Sequence, residues 1–187
     1  MRITVLRLGH RKKRDVRMTT HCGLVARAFF ADEFILSGEL DGTPLNTLAS
    51  VGKNWGGKLK ARHEQNWRQF LMKRKRKKEI IVHLTMYGVP ALEILPQLRL
   101  LSKKHRLIVV VGSEKMPPEI YKLADFNIAI TSQPHSEVAA LAIFLNEIQN
   151  GVPLSRSAQR HFGKAKNIIR PGAKGRNNSA FGCRKQQ

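Results

Sequence analysis

Apolar residues fall along this chain in short runs, separated by stretches with helical spacing. The first run, Ile3-Thr4-Val5-Leu6-Arg7-Leu8, is closed by Gly9 and reads as a strand. A polar, basic loop spans His10 to Arg17. Cys22 to Ala31 then reads as a helix with Thr20 as its N-cap. Phe34-Ile35-Leu36-Ser37 predicts a short strand ended by Gly38, and Pro44 to Val51 a helix with proline in its first turn. Trp55-Gly56-Gly57 marks a turn. Residues 61–72 fit a strand or a helix equally well.

From residue 80 the alternation becomes regular. Ile80 to Leu84, Leu107 to Val111 and Asn127 to Ile130 read as strands. Ala91 to Lys103, Pro117 to Leu123 and Ser136 to Ile148 read as the helices that follow them. Strands that are apolar throughout, alternating with helices, predict an α/β protein with a parallel sheet covered on both faces. The last helix carries Val138, Leu141, Leu145 and Ile148 on one side, widened by Ala139, Ala140, Ile143 and Phe144. Such a helix should be buried on more than one side, against a second subunit as well as its own sheet. Gly151 and Pro153 end it. This divides the chain into one domain, residues 1–153, and a tail, residues 154–187. The tail holds nine bases and no acid; Ile168 and Ile169 should pack, and the rest should be mobile or ordered by RNA.

Composition narrows the function. The 187 residues carry 34 Lys and Arg against 13 Asp and Glu, a net charge of +21. A surface this positive binds polyanions by releasing their counterions, so nucleic acid is the expected partner. The run Lys73-Arg74-Lys75-Arg76-Lys77-Lys78 should repel itself into a solvated loop that could grip phosphates. No apolar run approaches a membrane span, and Met1-Arg2-Ile3-Thr4-Val5 does not open a signal peptide, so a cytoplasmic protein is expected. The two cysteines, Cys22 and Cys183, and the seven histidines lack metal-ligand spacing; no metal is expected.

Several chemistries fail on the motifs. Leu8-Gly9-His10-Arg11 lacks the further glycines of a dinucleotide fingerprint, and neither a phosphate-binding Gly-rich loop with Lys nor a Gly-x-Ser-x-Gly nucleophile occurs. What remains is a crevice of strand-end loops: Leu84-Thr85, Gly112 to Met116, and Ile130 to Glu137. Backbone amides and apolar walls suit a neutral adenine and a thioether or sulfonium better than a triphosphate. On these residues alone, a strand-ending glycine and an ordinary helix start are the simpler account.

A family resemblance changes that balance. Arg7-Leu8-Gly9-His10-Arg11, Arg14-Asp15-x-Arg17, Thr20-His21 and Ala26-Arg27-Ala28-Phe29-x-Ala31-Asp32 occur in order. They are followed by Val82-His83-Leu84-Thr85-Met86-Tyr87-Gly88, Val111-Gly112-Ser113-Glu114-Lys115 and Gln133-Pro134-His135-Ser136-Glu137-Val138-Ala139-Ala140. Together these resemble the archaeal tRNA (cytidine(56)-2′-O)-methyltransferase family of the SPOUT superfamily. The resemblance implies a SPOUT-type sheet with a C-terminal deep trefoil knot, a homodimer, tRNA as substrate and S-adenosylmethionine as methyl donor. It implies cofactor contacts at Leu84, at Gly112, Ser113, Glu114, Lys115 and Met116, and at Ile130, Thr131, Ser132, Gln133, Pro134, His135, Ser136 and Glu137. The superfamily's first motif, Asn followed six residues later by Arg, matches His21 and Arg27. Arg27 is then expected beside the ribose 2′-hydroxyl, with His21, His10 and Glu114 as candidates to take its proton. Arg7, Arg11, Arg14 and Arg17 should meet phosphates near the target, with Lys73, Arg74, Lys75, Arg76 and the tail from Lys164 to Arg176 as further clamps. The alternatives are another SPOUT RNA methyltransferase, or an RNA-binding protein that keeps the scaffold without catalysis.

Overall fold

In the computed structural model, which describes residues 1–112, 115–163 and 165–167, the apolar runs become the strands of one parallel sheet. Along the chain lie β1 (Ile3–His10), α1 (Val16–Ala28), β2 (Glu33–Gly38), α2 (Gly42–Trp55), β3 (Lys60–His63) and α3 (Trp67–Arg76). Then come β4 (Ile80–Pro90), α4 (Ala91–Leu101), β5 (Leu107–Gly112), α5 (Pro118–Leu123), β6 (Phe126–Ala129) and α6 (Glu137–Ile148). Two 3-10 helices follow, Val152–Leu154 and Arg156–Phe162. The strand order is β3-β2-β1-β5-β4-β6, and every neighbouring pair is parallel.

Parallel crossovers are right-handed, so the direction of each step fixes the face its helix covers. The steps β1 to β2, β2 to β3 and β4 to β5 move one way along the sheet; β3 to β4 and β5 to β6 move the other. Accordingly α1, α2 and α4 cover one face, joined by α6, and α3 and α5 cover the other. Strand side chains divide with the period of two. Leu107, Val109 and Val111 face the first layer, beside Leu95, Leu98, Leu141 and Phe144; Ile108 and Val110 face the second, beside Phe70, Leu71 and Ile120. Burial on both faces is why these strands are apolar throughout.

Two expectations are corrected and one open reading is resolved. α1 begins at Val16, not Cys22; Thr20 lies inside it and donates to the Val16 carbonyl at 2.8 Å, while Asp15 occupies the N-cap position. The Asp15 carboxylate compensates the basic stretch, accepting from the Arg11 amide at 3.1 Å and from Arg14 Nε at 2.8 Å. Residues 61–72 are both strand and helix: β3 ends at His63, and Asn66 caps α3 by accepting from the Gln69 amide at 3.0 Å. The basic run is not a solvated loop. Lys73 to Arg76 form the last turn of α3, where cations oppose the negative end of the helix dipole.

β4 bends between Leu84 and Val89, so that Val89 and Pro90 rejoin β6 at Ile128 and Ala129. Gly88 makes this possible. A Cβ there would stand 2.5 Å from the Asn127 carbonyl group and the Ile128 nitrogen. Among the described residues no helix is long and apolar enough to cross a membrane. Ser113, Glu114, Lys164, Ile168, Ile169, the tail beyond them and Cys183 lie outside the described residues.

Candidate functional site

The C-terminal ends of β4, β5 and β6 open into a cleft of about 900 Å3. This is where open α/β sheets bind ligands, and the volume suits a nucleoside-sized molecule. Of the expected cofactor residues it gathers Leu84, Gly112, Lys115, Met116, Ile130, Pro134, His135 and Glu137. Thr131, Ser132, Gln133 and Ser136 belong to the same loop but do not line the cleft. Ser136 caps α6, its Oγ accepting from the Val138 amide at 3.2 Å. Sequence reasoning missed Tyr121 and Lys122 on α5, which reach the wall because α5 packs over the end of β4. Met86 and Tyr87 were visible in the quoted motif, but nothing in it marks them as lining.

Arg7 is corrected from a phosphate contact to a buried member of the wall. β1 is central in the sheet, and Arg7 lies level with Val111 at the end of β5. Its side chain is wholly buried; it donates to the Gly112 carbonyl and, through Nη2, to Glu137 Oε1 at 2.8 Å. A buried guanidinium is tolerated only when paired. The carboxylate that pairs it comes from the first turn of α6, where the helix dipole also favours an anion. Arg7 thus ties the end of β5 to the start of α6, two segments of the cleft.

His83 supplies a second buried polar group. Its Nδ1 lies 2.9 Å from Asn127 Oδ1, and Asn127 Nδ2 donates to the Tyr121 carbonyl at 2.9 Å. With Oδ1 therefore the acceptor, His83 Nδ1 carries the proton and Nε2 presents a lone pair. That Nε2 is buried without a partner among the described residues. Burial pushes the His83 pKa below its ordinary value, which keeps the ring neutral. The Tyr121 ring stands edge-on to it at 4.8 Å, and the Tyr121 hydroxyl lies 3.3 Å from Thr85 Oγ1.

The remaining candidates divide by place. His10 is buried, with Nδ1 2.8 Å from Thr19 Oγ1 and Nε2 3.2 Å from Asp41 Oδ2, so both nitrogens are engaged and it is removed as a proton acceptor. Arg11 and Arg14 flank Asp15 beyond the end of β1, on the cleft's edge of the sheet, and Arg17 is exposed in the first turn of α1. Arg74 lies against Phe70 and pairs with Glu79 at 3.1 Å and Glu33 at 3.7 Å; Lys75 pairs with Asp125 at 3.1 Å. Only Lys73 and Arg76 of those four bases remain exposed without a carboxylate among the described residues.

His21 is exposed on α1. Arg27, in the last turn of α1, lies at the opposite edge of the sheet from the cleft, because α1 runs back toward the strand starts and the Asp32 amide then bonds the Ile3 carbonyl at 2.8 Å. Arg27 Nε donates to the Gly56 carbonyl at 2.9 Å and Nη2 to the Trp55 carbonyl at 2.6 Å, with the guanidinium over the Phe162 ring. Partial burial lowers its pKa, but a guanidinium stays protonated at neutral pH. Burial raises the Cys22 thiol to about 11, which leaves it inert. Among the described residues no cluster of His, Cys, Asp or Glu could hold a metal.

Comparison with known proteins gives this arrangement its relatives. Residues 55–179 match the family described as tRNA ribose 2′-O-methyltransferase, aTrm56. A Methanothrix thermoacetophila protein named tRNA (cytidine(56)-2′-O)-methyltransferase is 46% identical over 176 residues, 94% of this chain and 96% of its own. A protein of the same name from Methanocaldococcus jannaschii is 47% identical over 156 residues, 83% of this chain and 86% of its own. Among solved structures, an A. aeolicus TrmH/SpoU tRNA modifying enzyme superposes with a TM-score of 0.55 at 15% identity, over 86% of this chain and 79% of that one. The SpoU methyltransferase AviRb from Streptomyces viridochromogenes, in complex with AdoMet, does so with a TM-score of 0.55 at 12% identity; this chain aligns over 79% of its own length but only 56% of that protein's. The structural likeness speaks for the fold, and the sequence identity for more: the chain belongs to the aTrm56 family of tRNA ribose 2′-O-methyltransferases.

Proposed function

We propose that the protein methylates the ribose 2′-hydroxyl of cytidine 56 in the T-loop of tRNA, with S-adenosylmethionine as donor. The observation that carries this reading is the cleft, in which the three loops that match the family line one wall. Its lining fits the donor. Leu84, Met116 and Ile130 offer apolar surface to an adenosyl group. When bound, the donor supplies a methyl group on a positively charged sulfur; the C–S bond breaks as the C–O bond forms.

The chain's own residues do the rest. Arg7 holds the Gly112 carbonyl and Glu137 in register, so the wall is formed before the donor arrives. Arg27 orients the ribose hydroxyl and stabilises the alkoxide charge that develops on it. Because Arg27 lies at the other edge of its own sheet, it performs this role in the cleft of a second copy. A homodimer is also supported by exposed apolar residues beside the cleft and along α4 and α6: Tyr87, Val89, Leu92, Leu100 and Ile143. The ribose proton goes to His21 or Glu114. The β4 bend, where Gly88 presses on β6, is compatible with a knotted C-terminal half. The protein works in the cytoplasm, with its tRNA.

The test is to incubate the protein with S-adenosylmethionine and one unmodified tRNA transcript and to map ribose methylation by mass spectrometry. A single added methyl on the ribose of cytidine 56 is the expected result. Methylation elsewhere would replace the target, and none at all would leave a binding protein.

A further inference from the structure

Arg27 does not stand alone at the strand-start edge. A notch of about 490 Å3 opens beside it, between the end of α2, the turn before β3 and the second 3-10 helix. Its charged lining is entirely basic, Lys53, Lys58 and Arg160, with His161 beside them. Among the described residues Lys53, Lys58 and Arg160 have no carboxylate partner. His161 is fixed by stacking on Phe30 at 3.9 Å, and Phe162 of the same helix lies under the Arg27 guanidinium at 4.9 Å.

The rest of the lining is glycine, and two of these glycines lack a structural reason. Gly56 has one: its φ is +72°, and a Cβ would stand 2.4 Å from the Phe162 carbonyl oxygen. Gly57 has one too, at φ +98°. Gly52 and Gly163 have no positive φ, and no atom of another described segment lies within 4 Å of a built Cβ. Gly52 lies inside α2, where alanine would make a stronger helix. Bare backbone facing an unpaired set of cations is what close approach of a polyanion requires.

We propose that this notch holds the phosphodiester backbone of the RNA next to the ribose being methylated. The proximity to Arg27 sets the place: a Cβ on Gly57 would lie 3.4 Å from Arg27 Nε. The inference rests on the reading of tRNA as substrate and of Arg27 as the group at the ribose.

The experiment measures binding of an unmodified tRNA transcript against salt, and binding of S-adenosylmethionine by calorimetry, for the intact protein and two variants. In Lys53→Gln/Lys58→Gln, each lost phosphate contact should flatten the slope of log K against log salt by about 0.7–0.9, with donor affinity unchanged. Gly52→Ala should raise the melting temperature yet weaken tRNA binding several-fold, a combination that a merely structural glycine would not give. If both variants bind tRNA with the slope and affinity of the intact protein, the notch is idle and the assigned activity stands. If the intact protein itself fails to bind the transcript, the activity falls and the notch with it.

Discussion

A single side chain, Arg7, shows how far position can overrule chemistry. By type it is a phosphate ligand; by place it is a wholly buried charge, closed in by the two segments it joins. Arg7→Met should cost about 3 kcal/mol, the low end for breaking a buried pair because Glu137 keeps some exposure, and should weaken donor binding in the same variant. Urea denaturation and calorimetry measure the two effects. Arg7→Lys keeps the charge but not the fork, so it should recover only part of each. His83 gives the residue scale its pH dependence. Its folded pKa lies below the unfolded 6.5, so acid protonates the unfolded chain first and drains stability as pH falls below that value. The melting temperature should therefore drop more steeply between about pH 7 and 5 for the intact protein than for His83→Gln, which keeps a donor toward Asn127 without titrating. Equal slopes would show that the ring is not a buried neutral imidazole.

Among the elements, α3 separates bases that hold the fold from bases that are free. Arg74 should contribute about 1–3 kcal/mol through its carboxylates, read as a lower melting temperature in Arg74→Gln. Lys73→Gln/Arg76→Gln should leave stability alone and flatten the salt dependence of tRNA binding; an unchanged slope would make the end of α3 irrelevant to RNA. The β4 bend makes its own demand. Gly88→Ala should destabilise by about 3 kcal/mol, because the atoms it meets are backbone and cannot rotate away.

The sequence displayed the strands well, since two-sided burial writes itself as unbroken apolar runs. Leu107 to Val111 is the clearest case. The cleft was legible wherever a strand-end loop carried it. The partners of the basic residues were not, because charge pairing has no period: Glu137 meets Arg7 across 130 residues, and Glu33 on β2 meets Arg74 on α3. Residues 61–72 stayed open between strand and helix for a different reason. A four-residue strand and a ten-residue helix meet inside that window, and neither period runs long enough to declare itself.

At the scale of the whole molecule, cleft and Arg27 sit at opposite edges of one sheet; on the proposed reading a second copy brings them together. Mixing two inactive variants tests this. Arg27→Ala retains an intact cleft, and Leu84→Trp retains Arg27. If the subunits exchange at random, half the dimers are mixed and each carries one complete site, so about a quarter of the intact activity should return. No recovery after subunit exchange would confine the reaction to a single chain. The strand order carries one more consequence, for biosynthesis. Among the described residues β6 is the last strand to leave the ribosome, yet it alone covers the outer side of β4. Until residue 129 emerges, the nascent chain presents an apolar strand edge with bare amides and carbonyls, the kind of surface that chaperones recognise and that recruits other chains into aggregates.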